Sequence, residues 1–209
     1  MIITKIEPLG KGRQRIFLDG EIAFVLYRGE VSSLALKEGM ELPDTRYQEI
    51  VGDILVKRAR LRCMNLLKSM DKTEWQLRTK LRQGDYPPSV IDDAIAYVKS
   101  FHYVDDVRYA RNYIEIRSSS RSIRQITQEL RSKGISEEDM EQAFGQADTQ
   151  TEEQAILKLT EKKHMNLEHP TREELQKYYA FFLRKGFSYG AVRRVLQKTT
   201  GSSWEKEEF

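Results

Sequence analysis

The sequence predicts a mostly α fold: three tandem three-helix repeats form an elongated, curved array, preceded by a small β-hairpin or sheet module. Three observations predict it. Helix-start signals recur from Thr73 onward, one apolar frame appears three times, and strand-like patterning is confined to the first 45 residues.

Ile2 to Ile6 has the β-branched content of a strand. Arg15 to Leu18 and Ile22 to Leu26 flank Asp19-Gly20, a pair suited to the positive φ angles of a two-residue hairpin turn. Gly29, Gly39 and Pro43 then interrupt the pattern, and helical periodicity begins near Thr45. So small a sheet rarely stands alone, which predicts that it packs on the first helices. Gly10-Lys11-Gly12 resembles a fragment of a phosphate loop, but it lacks the full spacing and opens no helix, so it reads as a turn.

Beyond the module, Thr73 with Gln76, Ser89 with Asp92, Ser122 with Gln125, Ser136 with Asp139, Thr151 with Gln154 and Thr171 with Glu174 have capping-box spacing or its Asp variant. In such a box the hydroxyl accepts an amide proton three residues on, and the later side chain reaches back to the cap. The helical part also repeats itself. From Tyr86, Ile135 and Phe187, apolar residues follow at five positions (Ile91, Met140, Val192) and at eight and nine. Upstream stand Leu81-Arg82, Leu130-Arg131 and Leu183-Arg184, with Gly84, Gly134 and Gly186 between. A further helix precedes each pair, marked at i, i+4 spacing by Cys63 and Leu67, Ala110 and Ile114, and Ala155 and Leu159. One such unit is too small to bury its apolar face alone, so neighbours should stack and present a long binding surface. The expected divisions are a β-rich module at 1–45, helical repeats at 46–106, 107–150 and 151–200, and a flexible tail at 201–209.

Net charge is only +3 over 209 residues, but it is segregated. Lys57 to Arg82 holds nine Lys or Arg against two acids, and Arg108 to Lys133 holds seven against two. Ile135 to Gln150 has five acids and no base. No apolar run is long enough to span a membrane and no apolar stretch follows a basic start, so a cytoplasmic protein with no membrane partner is expected. Cys63 is the sole cysteine and reads as a small core residue. His102, His164 and His169 lack metal-ligand spacing, and no nucleophile elbow or Ser-His-Asp set stands out. No enzyme activity, metal or cofactor is therefore expected. Asp105-Asp106 could suggest a metal, but directly before a helix beginning near Arg108 a carboxylate caps free amides and meets the positive end of the dipole.

Asp105-Asp106-Val107-Arg108-Tyr109-Ala110-Arg111-Asn112-Tyr113-Ile114, followed by Glu129-Leu130-Arg131-Ser132-Lys133-Gly134-Ile135, resembles the central pattern of the RecX family. Leu183-Arg184-Lys185-Gly186-Phe187-Ser188 is similar to that family's carboxy-terminal Gly-Phe-Ser motif. The resemblance covers roughly residues 55 to 198, and the β-rich segment looks like the extra module of some members. Met70-Asp71-Lys72-Thr73 departs from the family's frequent Arg-Ser pair, and Ser119 or Ser120 stands where a Gly is common. The resemblance implies a protein that binds RecA recombinase filaments on DNA, lies in the filament groove and restrains filament growth, ATPase and strand exchange. A monomer is expected.

Candidate binding residues are the basic ones. Arg108, Arg111, Arg117, Arg121, Arg124, Arg131 and Lys133 form the favoured centre, in the second repeat, where Ser118 to Ser120 should leave a mobile connecting loop. Lys57, Arg58, Arg60, Arg62, Lys80 and Arg82 form a second patch, and Arg193, Arg194 and Lys198 a third. Phosphates and acidic protein surfaces both attract such side chains, whereas the bland alternative is a set of solvated helix faces. A nucleic-acid-binding helical protein that needs no recombinase is the other functional reading; the nearly balanced net charge counts against it.

Overall fold

The computed structural model describes residues 1–147 and 151–200; the tail expected at 201–209 lies outside the described residues. Two compact units divide the chain, Met1–Asp105 and Asp106–Phe209. In the first, β1 (Ile3–Gly10), β2 (Arg13–Leu18) and β3 (Glu21–Tyr27) form an antiparallel sheet in sequential order. Asp19 and Gly20 adopt φ of 50° and 91°, the primed-turn conformation that the hairpin requires. Lys11 and Gly12 also take positive φ and close the β1–β2 turn. Alternation does the rest: Ile16, Leu18, Phe24 and Leu26 are buried, and Ile16 faces Phe24 across the ladder.

A short helix, α1 (Arg28–Ser33), follows where the sequence suggested only punctuation. Glu30 accepts the Tyr27 amide proton at 2.7 Å, a local cap that compensates for Gly29 in the first turn. Next come α2 (Asp44–Glu49), a π-helical segment (Ile50–Val56) and α3 (Lys57–Leu67), joined without a break. The wider π turn has a visible cause. Ile50 and Leu55, five residues apart, are both buried, whereas Ala59 and Cys63 follow at the ordinary spacing of four.

The first three-helix unit consists of α3, α4 (Glu74–Arg82) and α5 (Pro88–Ser100). Its apolar residues and those of the sheet form one core, from Ile3 to Val104, so the sheet packs on the first helices. The second unit is α6 (Asp106–Arg117), α7 (Ile123–Ser132) and α8 (Glu137–Gln146), around Ala110, Ile114, Ile126, Leu130 and Met140. The third is α9 (Glu152–Lys162), α10 (Arg172–Arg184) and α11 (Tyr189–Thr200), around Ile156, Phe182, Phe187 and Val192. In all three the first helix packs most extensively on the third.

Five of the six cap pairs form. Thr73, Thr151 and Thr171 make reciprocal boxes, while Ser122 and Ser136 accept the amide protons of Gln125 and Asp139. Ser89 does not cap: α5 starts at Pro88, behind Pro87, because a proline at the first helical position has a preset φ and no amide to satisfy. The helix turns differ too. Gly134 and Gly186 are left-handed, both at φ 81°, but in the first unit Asp85 takes that conformation (φ 54°) in place of Gly84. An aspartate tolerates it, and here its carboxylate accepts two hydrogen bonds from Arg15, at 2.7 and 2.9 Å.

Candidate nucleic-acid and partner interface

The central basic residues gather around one tyrosine. Tyr113, on α6, donates its hydroxyl proton to Glu129 of α7 at 2.5 Å. The Arg117 guanidinium lies 5.5 Å and the Lys133 ammonium 5.4 Å from the centre of the Tyr113 ring. Arg121 reaches the other oxygen of Glu129 at 3.3 Å. Burial, followed by the hydrogen bond and charge of Glu129, pushes the Tyr113 phenol up against the opposing pull of Arg117. Three predicted cations thus gather about one carboxylate and one ring.

The other members are dispersed. Arg111 lies 4.0 Å from Glu115, and Arg131 is held by both oxygens of Glu137, at 2.5 and 3.0 Å. Arg108 is half-buried near the start of α6. Arg124 is exposed, with its aliphatic stem against Gly186. The serine connector is a hydrogen-bonded turn, not an open loop: the Ser118 amide donates to Ile114, the Ser120 and Arg121 amides both donate to Arg117, and Ser118 is buried. Ile116 and Ile123, 72% and 55% exposed, flank this turn. Sequence reading missed them because they sit where the helical stripe calls for polar residues. The signal was present in their offset from Ile114 and Ile126.

The second patch splits by role. Arg60 grips both oxygens of Asp93, at 2.7 and 2.9 Å, and covers the Tyr97 ring; this joins α3 to α5. Arg58 pairs with Glu30, donates to the Val25 carbonyl at 3.1 Å and lies 4.9 Å from the centre of the Tyr27 ring. Lys57 is exposed beside Asp53, one helical turn back, and Arg82 is exposed. Arg58, Arg62 and Lys80 line a cleft of about 360 Å³, where Arg13 and Tyr27 join them from the sheet. Nothing in the local sequence pairs residue 13 with residue 80. Burial pushes the Tyr86 phenol in this cleft up, while Arg58 and Arg62 pull it down. In the third patch Arg194 pairs with Glu153 at 2.5 Å, whereas Arg193 and Lys198 are exposed on α11.

Asp106 opens α6 and Asp105 directly precedes it, two residues earlier than expected and in the place where a carboxylate complements the helix dipole. Among the described residues, no group of three or more His, Cys, Asp or Glu could hold a metal ion, and no helix is long and apolar enough to cross a membrane.

The helical units match known protein families one by one. Residues 59–97 match the first three-helix domain of RecX, 105–143 the second and 151–196 the third. The chain belongs to the RecX family. A regulatory protein RecX from Clostridium botulinum (strain Alaska E43 / Type E3) is 30% identical over 205 residues, covering 94% of this chain and 95% of its own. Another, from Limosilactobacillus reuteri, is 30% identical over 197 residues, covering 92% of this chain and 75% of its own. The fold agrees with a crystal structure of a regulatory protein RecX at a TM-score of 0.62, with 27% identity and coverage of 93% and 98% of the two chains. The amino-terminal sheet lies outside the three domain matches. The 6% of the chain left uncovered by the Clostridium RecX is too little to hold that sheet, so this relative extends into it.

Proposed function

We propose that this chain is a negative modulator of the RecA recombinase that binds the RecA–DNA filament through its basic helical surface and limits filament growth, ATPase and strand exchange. It works in the cytoplasm as a monomer and performs no covalent chemistry. The observation that carries this reading is the cluster of Arg117, Arg121 and Lys133 about Tyr113 and Glu129, with exposed Arg124, Ile116 and Ile123 on the same helices. Exposed aliphatic side chains among arginines suit a protein partner that carries acidic groups or bound phosphates.

The test is a recombinase ATPase and strand-exchange assay with substoichiometric amounts of the chain. Inhibition is expected from the natural protein. It should fall sharply in the triple variant Arg117→Glu, Arg121→Glu, Arg124→Glu, with the helical circular-dichroism signal retained. Undiminished inhibition by the folded variant refutes the assignment of this face. The second reading, a nucleic-acid-binding helical protein that needs no recombinase, draws on the cleft lined by Arg13, Arg62 and Lys80. It requires DNA affinity that falls steeply with salt in the absence of recombinase.

A further inference from the structure

We propose that the cleft between β3 and helices α3 and α4 binds a segment of single-stranded nucleic acid, with one base against Tyr27 and the flanking phosphates on Arg13, Arg62 and Lys80. Its lining contains four cationic side chains and no carboxylate, in a chain whose net charge is only +3. Arg58 is already committed: Glu30 neutralises it and it covers the Tyr27 ring. The remaining three are uncommitted to acids. Arg13 and Arg62 are exposed and form no side-chain hydrogen bond or ion pair among the described residues, and Lys80 donates only to the neutral amide of Gln83 at 3.2 Å. Cations in a concavity walled by Val25, Leu61 and Tyr86 keep a stronger field than cations on a flat, fully wetted surface.

The remaining lining selects the ligand. Tyr27 is 48% exposed although Arg58 holds it, so the ring is both fixed and accessible. A fixed aromatic ring beside uncommitted cations is the pairing that single-strand binders use, since every base has a face to stack. The amides of Asn65 and Gln83 offer both donors and acceptors, which suits base edges; a run of carboxylates would use only the donors. The cleft volume lies at the low end of small-ligand sites, about 300–1,000 Å³. That admits an unstacked nucleotide and excludes a duplex, whose base faces are hidden in the stack.

This inference takes nucleic acid from the recombinase reading and needs no filament. The experiment uses the full chain without recombinase and an oligothymidylate carrying one 5-iodouracil, photo-crosslinked and mapped by mass spectrometry, with affinity measured by fluorescence anisotropy. Crosslinks are expected at Tyr27 or Tyr86. Tyr27→Leu, and separately Arg62→Ala with Lys80→Ala, should weaken binding about tenfold, while Tyr27→Phe binds as the natural chain does. Crosslinks confined to residues 106–200, a folded Tyr27→Leu variant with unchanged affinity, or equal displacement of the oligonucleotide by polyglutamate would each overturn the proposal. Should Tyr27→Leu fail to fold, the crosslink map of the natural chain decides. Failure here with recombinase inhibition intact removes this site alone; a Tyr27 crosslink without inhibition removes the recombinase reading alone.

Discussion

The Ser122 hydroxyl donates to the backbone carbonyl of Lys185 at 2.8 Å while accepting the Gln125 amide proton at 3.2 Å. One buried side chain therefore caps α7 and satisfies a carbonyl at the end of α10, which joins the second helical unit to the third. Ser122→Ala removes both bonds and leaves the half-buried Lys185 carbonyl without this partner. A loss of about 1–3 kcal/mol is expected, measured by urea unfolding. A midpoint unchanged from the natural chain would mean that the seam contributes nothing.

Gly186 stands at the same seam, with φ of 81°, and a Cβ there would lie 3.1 Å from the Ser122 Oγ and 3.4 Å from the Arg124 Cβ. Gly186→Ala should cost about 1–2 kcal/mol from the left-handed backbone, plus a part that comes from crowding Ser122. The two parts separate in a double-mutant cycle. In the Ser122→Ala background the crowding is relieved, so the penalty of Gly186→Ala should shrink. Strict additivity would refute the contact.

The caps were legible because they are local. Thr73, Ser122, Ser136, Thr151 and Thr171 need only a partner three residues away, and the apolar frame needs only helical spacing. Ser89 misled because the same box was preceded by Pro87-Pro88, whose preset φ starts the helix earlier. The candidate basic residues were legible as charges but not as roles. Arg60 and Arg62 look alike in sequence, yet one grips Asp93 across 33 residues and the other lines an open cleft. Pairings at such separations leave no periodic trace, so neither the cleft nor its tyrosine could be read from the sequence.

Arg15 and Asp85, 70 residues apart, tie the sheet to the turn after α4, with both side chains about three-quarters buried. Asp85→Asn keeps a residue that tolerates φ of 54° but loses the charge, at an expected cost of about 1 kcal/mol. Asp85→Ala adds left-handed strain, about 1 kcal/mol more. Chemical denaturation of both variants tests the order. Equal stability of Asn and Ala would show that the backbone conformation at residue 85 carries no cost.

Burial pushes the Cys63 thiol up to about 11, against a small opposing pull from Arg62. The thiolate is the reactive form, so the native chain should resist a disulfide reagent at mildly alkaline pH and react promptly once unfolded. Reaction rates across a denaturant series should follow the unfolding curve. Fast labelling in native buffer would contradict the core position of this side chain.

Glu74 opens α4 and accepts hydrogen bonds from Arg78 and Lys99, both at 2.7 Å. Burial alone would raise its pKa, but the hydrogen bonds and charges of Lys99 and Arg78 outweigh it and hold the carboxyl below 4.5. A group depressed in the folded state binds its proton more readily when the chain unfolds. Its contribution is thus fully present above 4.5 and disappears as pH falls through the lower folded value. Glu74→Gln keeps the shape and removes the charge. The stability difference between the natural chain and this variant should be largest near neutral pH and shrink on acidification below 4.5, as the natural chain protonates. Other depressed carboxylates, such as Glu7 and Glu137, titrate in both proteins, so their effects cancel in the subtraction. Thermal unfolding over an acid pH series measures the difference directly. A gap that stays constant with pH would show that Glu74 acts through packing and not through its charge.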